Sequence, residues 1–338
     1  MQTRDYLSDE PLLYRHGRQR ENEIPLRAGF SMLHHDQLVR FNFDELDIRG
    51  ELVYLNESWQ QVLARYEYPA PVRQQLGNAL AALVLLSATI KYDGNMILQV
   101  QGDGPLKKLV AQVTHDGSVR GLARWEGLVP MHGSLQQIFG NGRILITVFN
   151  ANGERYQSIV AMEGHTLADA LNVYFLQSEQ LPSTFKLITA DNCVAGFFLQ
   201  QLPDSRSTRD KLLAEGKSGV ARDRDEDWNR INILAGTVEE NELVSLNPER
   251  LLHRLFHEEQ VRLHAPKRLR FSCTCSRSKV ESTLLTMGRA EVDDIIRTEG
   301  KVDVDCEFCQ QRYVFKAPDI DALFNPADNQ LPPDAVVH

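Results

Sequence analysis

The spacing of apolar and polar positions divides the chain into stretches of different character. Residues 1–33 are polar and mixed in charge without sustained periodicity, which predicts a disordered or loosely docked extension. Met32, just ahead of the first orderly pattern, is a candidate internal start. From His35 the pattern tightens. Residues 38–43 and 50–55 read as short strands around a turn at Asp47–Gly50, and Ser58 to Tyr66 as a short helix. Pro71 opens a helix predicted to run to about Lys91, with Val72, Leu76, Leu80, Leu83, Leu86 and Ile90 at steps of three and four. Its middle, ALAALVLLSATI, is apolar on nearly every face and belongs deep in a core.

Strand-like runs follow at 96–101, 108–114 and 119–126, with turn signals at Asp93-Gly94, Asp103-Gly104 and Asp116-Gly117. Residues 144–149 and 156–162 form another pair about Asn152-Gly153. Thr166 to Asp169 resembles a capping box for a helix to about Gln180, with Leu167, Leu171, Tyr174 and Phe175 on its apolar side. Strands near 185–190 and 193–202 close an α+β domain, mostly antiparallel, over 34–203.

The composition then changes. Residues 204–230 carry seven acids and seven bases with few apolar anchors. Trp228, Ile231, Leu234, Ala235 and Val238 mark an amphipathic helix, and Asn247-Pro248 caps another bearing Leu251, Leu252, Leu255 and Phe256. Helices of this size lack a core of their own, so 204–262 reads as a helical linker docked on a neighbour. A small domain over 263–325 contains a helix at Glu291–Glu299 stopped by Gly300, with Val292, Ile295 and Ile296 facing inward. A polar tail, 326–338, follows.

The candidate chemistry sits in that small domain. Four of the five cysteines form Cys273-x-Cys275 and Cys306-x-x-Cys309. Two close thiol pairs can converge on one Zn²⁺, which takes thiolate at about 2.3 Å, and a four-cysteine site is closed and structural. So short a segment, poor in large apolar residues, needs the metal to fold. Arg262, Lys267, Arg268, Arg270, Arg277 and Lys279 surround the first pair in sequence, with no acid over 262–279, and nearby positive charge favours the oxidisable thiolate. From spacing alone an inert zinc ribbon and a redox switch both remain open. Cys193, in an apolar run, reads as a core thiol, and His253 and His257 as helix-surface residues outside any HExxH order. QGDGP (101–105) and GNG (140–142) lack phosphate-loop spacing and read as tight turns.

Composition narrows the partners. A net charge of −9 opposes general binding to nucleic acid. No run of eighteen apolar residues predicts a membrane span, and the N-terminus has no apolar export signal. Paired cysteines without an export signal point to metal or redox chemistry in the cytosol.

CTCSR (273–277) followed by CEFC (306–309) resembles the C-terminal signature of the 33 kDa chaperonin (heat shock protein 33) family. Upstream, HDQLVRF (35–41), RGELV (49–53), QGDGP (101–105), GERYQ (153–157) and LLHRLFHEE (251–259) match family segments in order, from about residue 34 onward. The resemblance implies a redox-regulated, ATP-independent holdase with no catalytic residues. When reduced it would hold one Zn²⁺ on Cys273, Cys275, Cys306 and Cys309 and be inactive. Oxidation would form the disulfides Cys273–Cys275 and Cys306–Cys309, release zinc and unfold switch and linker. The dimeric oxidised protein would then bind unfolding client proteins under oxidative or heat stress. Trp228, Ile231, Leu234, Leu251, Leu252, Leu255 and Phe256 are the expected apolar gate. A zinc-ribbon nucleic-acid adaptor, suggested by the basic run, and a thiol–disulfide oxidoreductase, suggested by Cys306-x-x-Cys309, are the alternatives.

Overall fold

The computed structural model describes residues 35–203 and 223–325. The extension at 1–33, most of the charged stretch at 204–222 and the tail at 326–338 lie outside the described residues. The chain divides after Ser272 into two compact units.

The first unit is built on two largely antiparallel sheets with one helix between them. Sheet one holds β1 (Gln37–Phe43), β2 (Ile48–Leu55), β8 (Ser183–Thr189) and β9 (Val194–Gln201), in the order β1-β2-β9-β8. Sheet two holds β3 (Gly94–Gln101), β4 (Leu106–Thr114), β5 (Ser118–Trp125), β6 (Arg143–Asn150) and β7 (Arg155–Val160), in the order β5-β4-β3-β6-β7. α1 (Glu57–Leu63) leads to α2 (Ala70–Ser87), which packs against strands of both sheets. Residues from Val72 to Ser87 are buried on nearly all its faces, as its apolar run predicts. The helix stops short of Lys91. The hydroxyls of Ser87 and Thr89 donate to the carbonyls of Val84 and Leu86, closing the last turn, and Ile90 is left exposed.

Two short helices complete this layer. α3 (Leu135–Phe139) carries a capping box from Ser134 and Gln137 that its brief apolar pattern does not advertise. α4 (Leu167–Tyr174) has the expected box from Thr166 and Asp169, then widens into a π-turn at Phe175–Glu179. The QGDGP and GNG turns lie against each other. A Cβ on Gly102 would sit 1.8 Å from the Phe139 carbonyl, and Asp103 accepts from the Asn141 backbone and side-chain amides. Close backbone approach accounts for these glycines.

The other face of sheet one is covered by three helices from the expected linker: α5 (Arg224–Gly236), α6 (Glu240–Ser245) and α7 (Pro248–Phe256). Asp223 caps α5 and Asn247 caps α7. α6 was not legible in the pattern; it buries Leu243 alone. Ile231, Ala235, Val238, Leu243, Leu251, Leu252, Leu255 and Phe256 bury themselves on Val39, Phe41, Phe43, Leu52, Tyr54, Phe197 and Leu199. Phe256 stands edge-on to Phe43, with ring centroids 5.1 Å apart.

The chain then runs along the sheet edges. β10 (Val261–Leu263) and β11 (Lys267–Arg268) pair with the outer edge of β1, and β12 (Arg270–Phe271) pairs parallel with β5. Residues 263–272, which composition alone groups with the small domain, therefore belong to the first unit. Short strands of two or three residues leave no periodicity to read.

The second unit contains α8 (Arg277–Met287), α9 (Arg289–Glu299), the hairpin β13 (Val302–Asp305) and β14 (Arg312–Phe315), and α10 (Ala317–Phe324). Its fully buried apolar core is Leu284, Val292, Val302, Phe315 and Ile320, with Ile295 and Ile296 packed at the margin. Five side chains are a thin core for three helices and a hairpin. No helix among the described residues is long and apolar enough to cross a membrane.

Candidate metal centre

The four predicted cysteines meet in the second unit. Cys273 and Cys275 lie in the irregular segment between β12 and α8, just before Ser276 caps that helix. Cys306 and Cys309 occupy the turn between β13 and β14. Gln310, in the left-handed region at φ 59°, donates its amide to the Cys306 carbonyl at 2.8 Å, and the Cys306 amide donates to the Gln311 carbonyl at 2.9 Å.

All four sulfurs lie within 4.8 Å of one another. Cys273 Sγ is 3.6 Å from Cys306 Sγ, and Cys275 Sγ is 3.4 Å from Cys309 Sγ. Each short contact joins the two motifs, which is how four ligands stand around a common centre. A tetrahedral thiolate site with bonds of about 2.3 Å has edges of about 3.8 Å, so the sulfurs need shift only a little to hold one metal ion.

The surroundings suit thiolates. Backbone amides of Cys309 and Phe308 donate to the Cys306 sulfur, and the Gln311 amide donates to Cys309. Tyr313 Oη donates to Cys275 Sγ at 3.1 Å. Crowding and burial oppose ionisation of these thiols. Burial, then the nearby Cys273 sulfur, pushes the Cys306 thiol up. Burial, then the sulfurs of Cys275, Cys273 and Cys306, pushes Cys309 up to about 12. Crowded sulfurs with amide donors aimed at them are stable as thiolates when a cation balances their charge.

The basic residues of the run have partners of their own. Arg262 pairs with Asp44, Lys267 donates to the His115 carbonyl, and Arg270 pairs with Asp116, all within the first unit. Arg277 pairs with Glu281 and Asp319 and lies 4.1 Å from the Phe315 ring centroid. Lys279 donates to the Thr274 carbonyl at 2.6 Å. Much of the positive charge adjacent in sequence thus has partners other than the sulfurs, while Lys279 stands at the carbonyl between Cys273 and Cys275.

Other candidates fall elsewhere. Cys193 sits half-buried in the β8–β9 hairpin, just before the strand rather than within it, and burial raises its pKa. His253 and His257 are exposed on and just after α7, ring centroids 6.3 Å apart, in the other unit from the thiol cluster. Cys306-x-x-Cys309 occupies a hairpin turn, not the helix N-terminus that lowers a dithiol's pKa in thioredoxin-like sites. Of the apolar linker residues, Ile231, Leu251, Leu252, Leu255 and Phe256 are buried on sheet one, while Trp228 and Leu234 are partly buried at its margin. Sequence reasoning missed Tyr313. Its only signal is a lone tyrosine in the short strand after the second pair.

A two-unit chain with a four-thiol centre in the smaller unit and helices laid over an aromatic sheet face in the larger defines a recognisable class. The family description "Hsp33 protein" matches residues 36–316, and the chain belongs to that family. It is 47% identical over 293 residues to the 33 kDa chaperonin of Nitrosococcus oceani, covering 87% of this chain and 96% of that one. It is 42% identical over 304 residues to the 33 kDa chaperonin of Photorhabdus laumondii, covering 89% and 100%. The crystal structure of the Thermotoga maritima 33 kDa chaperonin has the same fold, with a TM-score of 0.70 at 23% identity, covering 88% of this chain and all of that one. These are chaperones, and the four cysteines are positioned to bind a metal ion.

Proposed function

We propose that this chain is a redox-switched, ATP-independent holdase. The observation that carries this reading is the pairing of a four-thiol centre in a unit with five core side chains with a helical cover over the Phe41, Phe43 and Phe197 face. Cys273, Cys275, Cys306 and Cys309 would hold Zn²⁺, which balances four thiolates and ties the two cysteine motifs together. Binding free energy of a structural zinc, about 10–16 kcal/mol in small fingers, is folding free energy there.

Two equivalents of hydrogen peroxide would convert the four thiolates to the disulfides Cys273–Cys275 and Cys306–Cys309. Each disulfide would form with loss of two electrons, each peroxide would take those electrons and two protons from solvent to give two waters, and the ion would leave because its thiolate donors are gone. The second unit would then unfold. Cys273 directly follows the strap of β10, β11 and β12, so disorder can pass along the chain to short strands that hold few hydrogen bonds, and from there to α5–α7. The sheet face they cover becomes available to unfolding client proteins, and the oxidised protein would act as a homodimer. Reduction and zinc return reverse the sequence.

The test is suppression of aggregation of an unfolding client without ATP, before and after peroxide. Silence when reduced and holding when oxidised is expected; equal activity in both states refutes the switch. Salt-sensitive RNA binding by the reduced protein would favour the nucleic-acid adaptor instead, and catalytic turnover of a disulfide substrate the oxidoreductase.

A further inference from the structure

The strap suggests how a client is held. β1 has two edges, and β2 takes one of them. The other is occupied by β10 and β11, segments of three and two residues separated by His264, Ala265 and Pro266. Asp44 N donates to the Gln260 carbonyl, His264 N to the Arg40 carbonyl and Leu269 N to the Asp36 carbonyl, each at 2.9 Å. Pro266 has no amide to give, and the pairing breaks there. The occupant is thus a short, interrupted strand on the edge of a well-built sheet.

Its side chains show what the edge selects. In the antiparallel register Val261 lies opposite Phe43, Arg262 opposite Asn42 and Leu263 opposite Phe41. Val261 and Leu263 pack into the aromatic cluster that α7 also covers. The tip of the Phe41 ring covers Gly50, where a Cβ would lie 2.1 Å from its Cζ, so this row of rings forms a platform reaching onto β2. Arg262 turns to the opposite face, where its Nε lies 2.9 Å from the Asp44 carboxylate.

We propose that, once the linker lifts, this edge binds an extended segment of the client by antiparallel strand addition, and that it prefers an apolar–basic–apolar triplet. This rests on the holdase reading and specifies its client site. Unfolding chains present extended backbone with unpaired amides, and strand addition satisfies these while alternate side chains settle on the platform. The Arg40 carbonyl and the Asp44 amide supply the backbone contacts. Phe41 and Phe43 receive the two apolar residues, and Asp44 receives the basic one. The strap is therefore an intramolecular stand-in for the client as well as a tether.

The experiment uses full-length, peroxide-oxidised protein and three fluorescent peptides. One carries a Val-Arg-Leu centre flanked as in residues 259–265. The second has Glu in place of the Arg. The third is N-methylated at the amide equivalent to that of His264. The first should bind about fivefold more tightly than the second and about tenfold more tightly than the third. Asp44→Lys should reverse the preference between the charged peptides, and Asp44→Asn should bring them near parity, a milder change that keeps the fold testable. If oxidised wild-type protein holds client but binds all three peptides equally, or Asp44→Lys leaves the preference unchanged, strand addition at β1 is wrong while the holdase stands. If oxidised wild-type protein holds no client, the holdase reading fails first and takes this inference with it.

Discussion

Phe256→Ala should open the gate without oxidation. The ring is 2% exposed and lies among Phe41, Phe43 and the apolar residues of α7. Its centroid is 5.1 Å from that of Phe43 and 6.5 Å from that of Phe41. Truncating a buried Phe costs about 3–5 kcal/mol in lost transfer energy and cavity. The loss should fall on the cover, because α5–α7 pack on one face of sheet one while α2 and both sheets share a separate, larger core. A loss of that size raises the open population of the cover by about 150- to 4,000-fold. The assay is client aggregation with reduced, metal-loaded protein, beside hydrogen exchange of residues 224–263. Holding activity should appear with exchange accelerated there and α2 still protected. If exchange at 224–263 accelerates and the reduced protein remains silent, the cover is not the gate. Ile231→Ala, on α5 and fully buried, provides a second route to the same opening should Phe256→Ala damage the sheet.

Further perturbations probe the centre and the core. Cys306→Ser should weaken zinc binding sharply while Cys193→Ser leaves it intact, as read by a metal-indicator titration. Tyr313→Phe removes the hydroxyl that donates to Cys275 and should lower zinc affinity about tenfold and speed peroxide-driven zinc release, with the reduced unit still folded. Glu51 is raised to about 7 by burial, against the opposing pull of Arg49 and Arg40, and one of its oxygens has no hydrogen-bond partner among the described residues. A carboxyl raised on folding takes up a proton, so it destabilises the first unit most above pH 7, and the penalty lifts as pH falls toward its unfolded value. Glu51→Gln should remove about 3 kcal/mol of that pH dependence between pH 4.5 and 8, and an unchanged slope in denaturant melts refutes the assignment. Chelation under reducing conditions should unfold residues 273–324 and leave α2 protected, as read by hydrogen exchange.

Much of this was legible because the signals were strong and local. The apolar run of α2, the Asn247-Pro248 cap and the two cysteine motifs each point to one physical solution. Other features were hidden because tertiary contacts define them. α8 buries only Leu284, so its face carries little period. The strap consists of strands too short to alternate, and only their partners on β1 and β5 give them structure. Sequence proximity of the basic run to Cys273 says nothing of Asp44 and Asp116, which pair with Arg262 and Arg270 from distant turns. Tyr313 becomes meaningful only when the β13–β14 hairpin carries it to a sulfur contributed from before α8.

Hydrogen exchange on the full-length protein before and after peroxide, followed in parallel with zinc release, bears most directly on the switch. Protection should be lost over 224–315, covering α5–α7, the strap and the thiol centre, while 70–200 stays protected and holding activity appears. Peroxide-activated holding with full protection retained at 224–263 would place the gate elsewhere and contradict the mechanism.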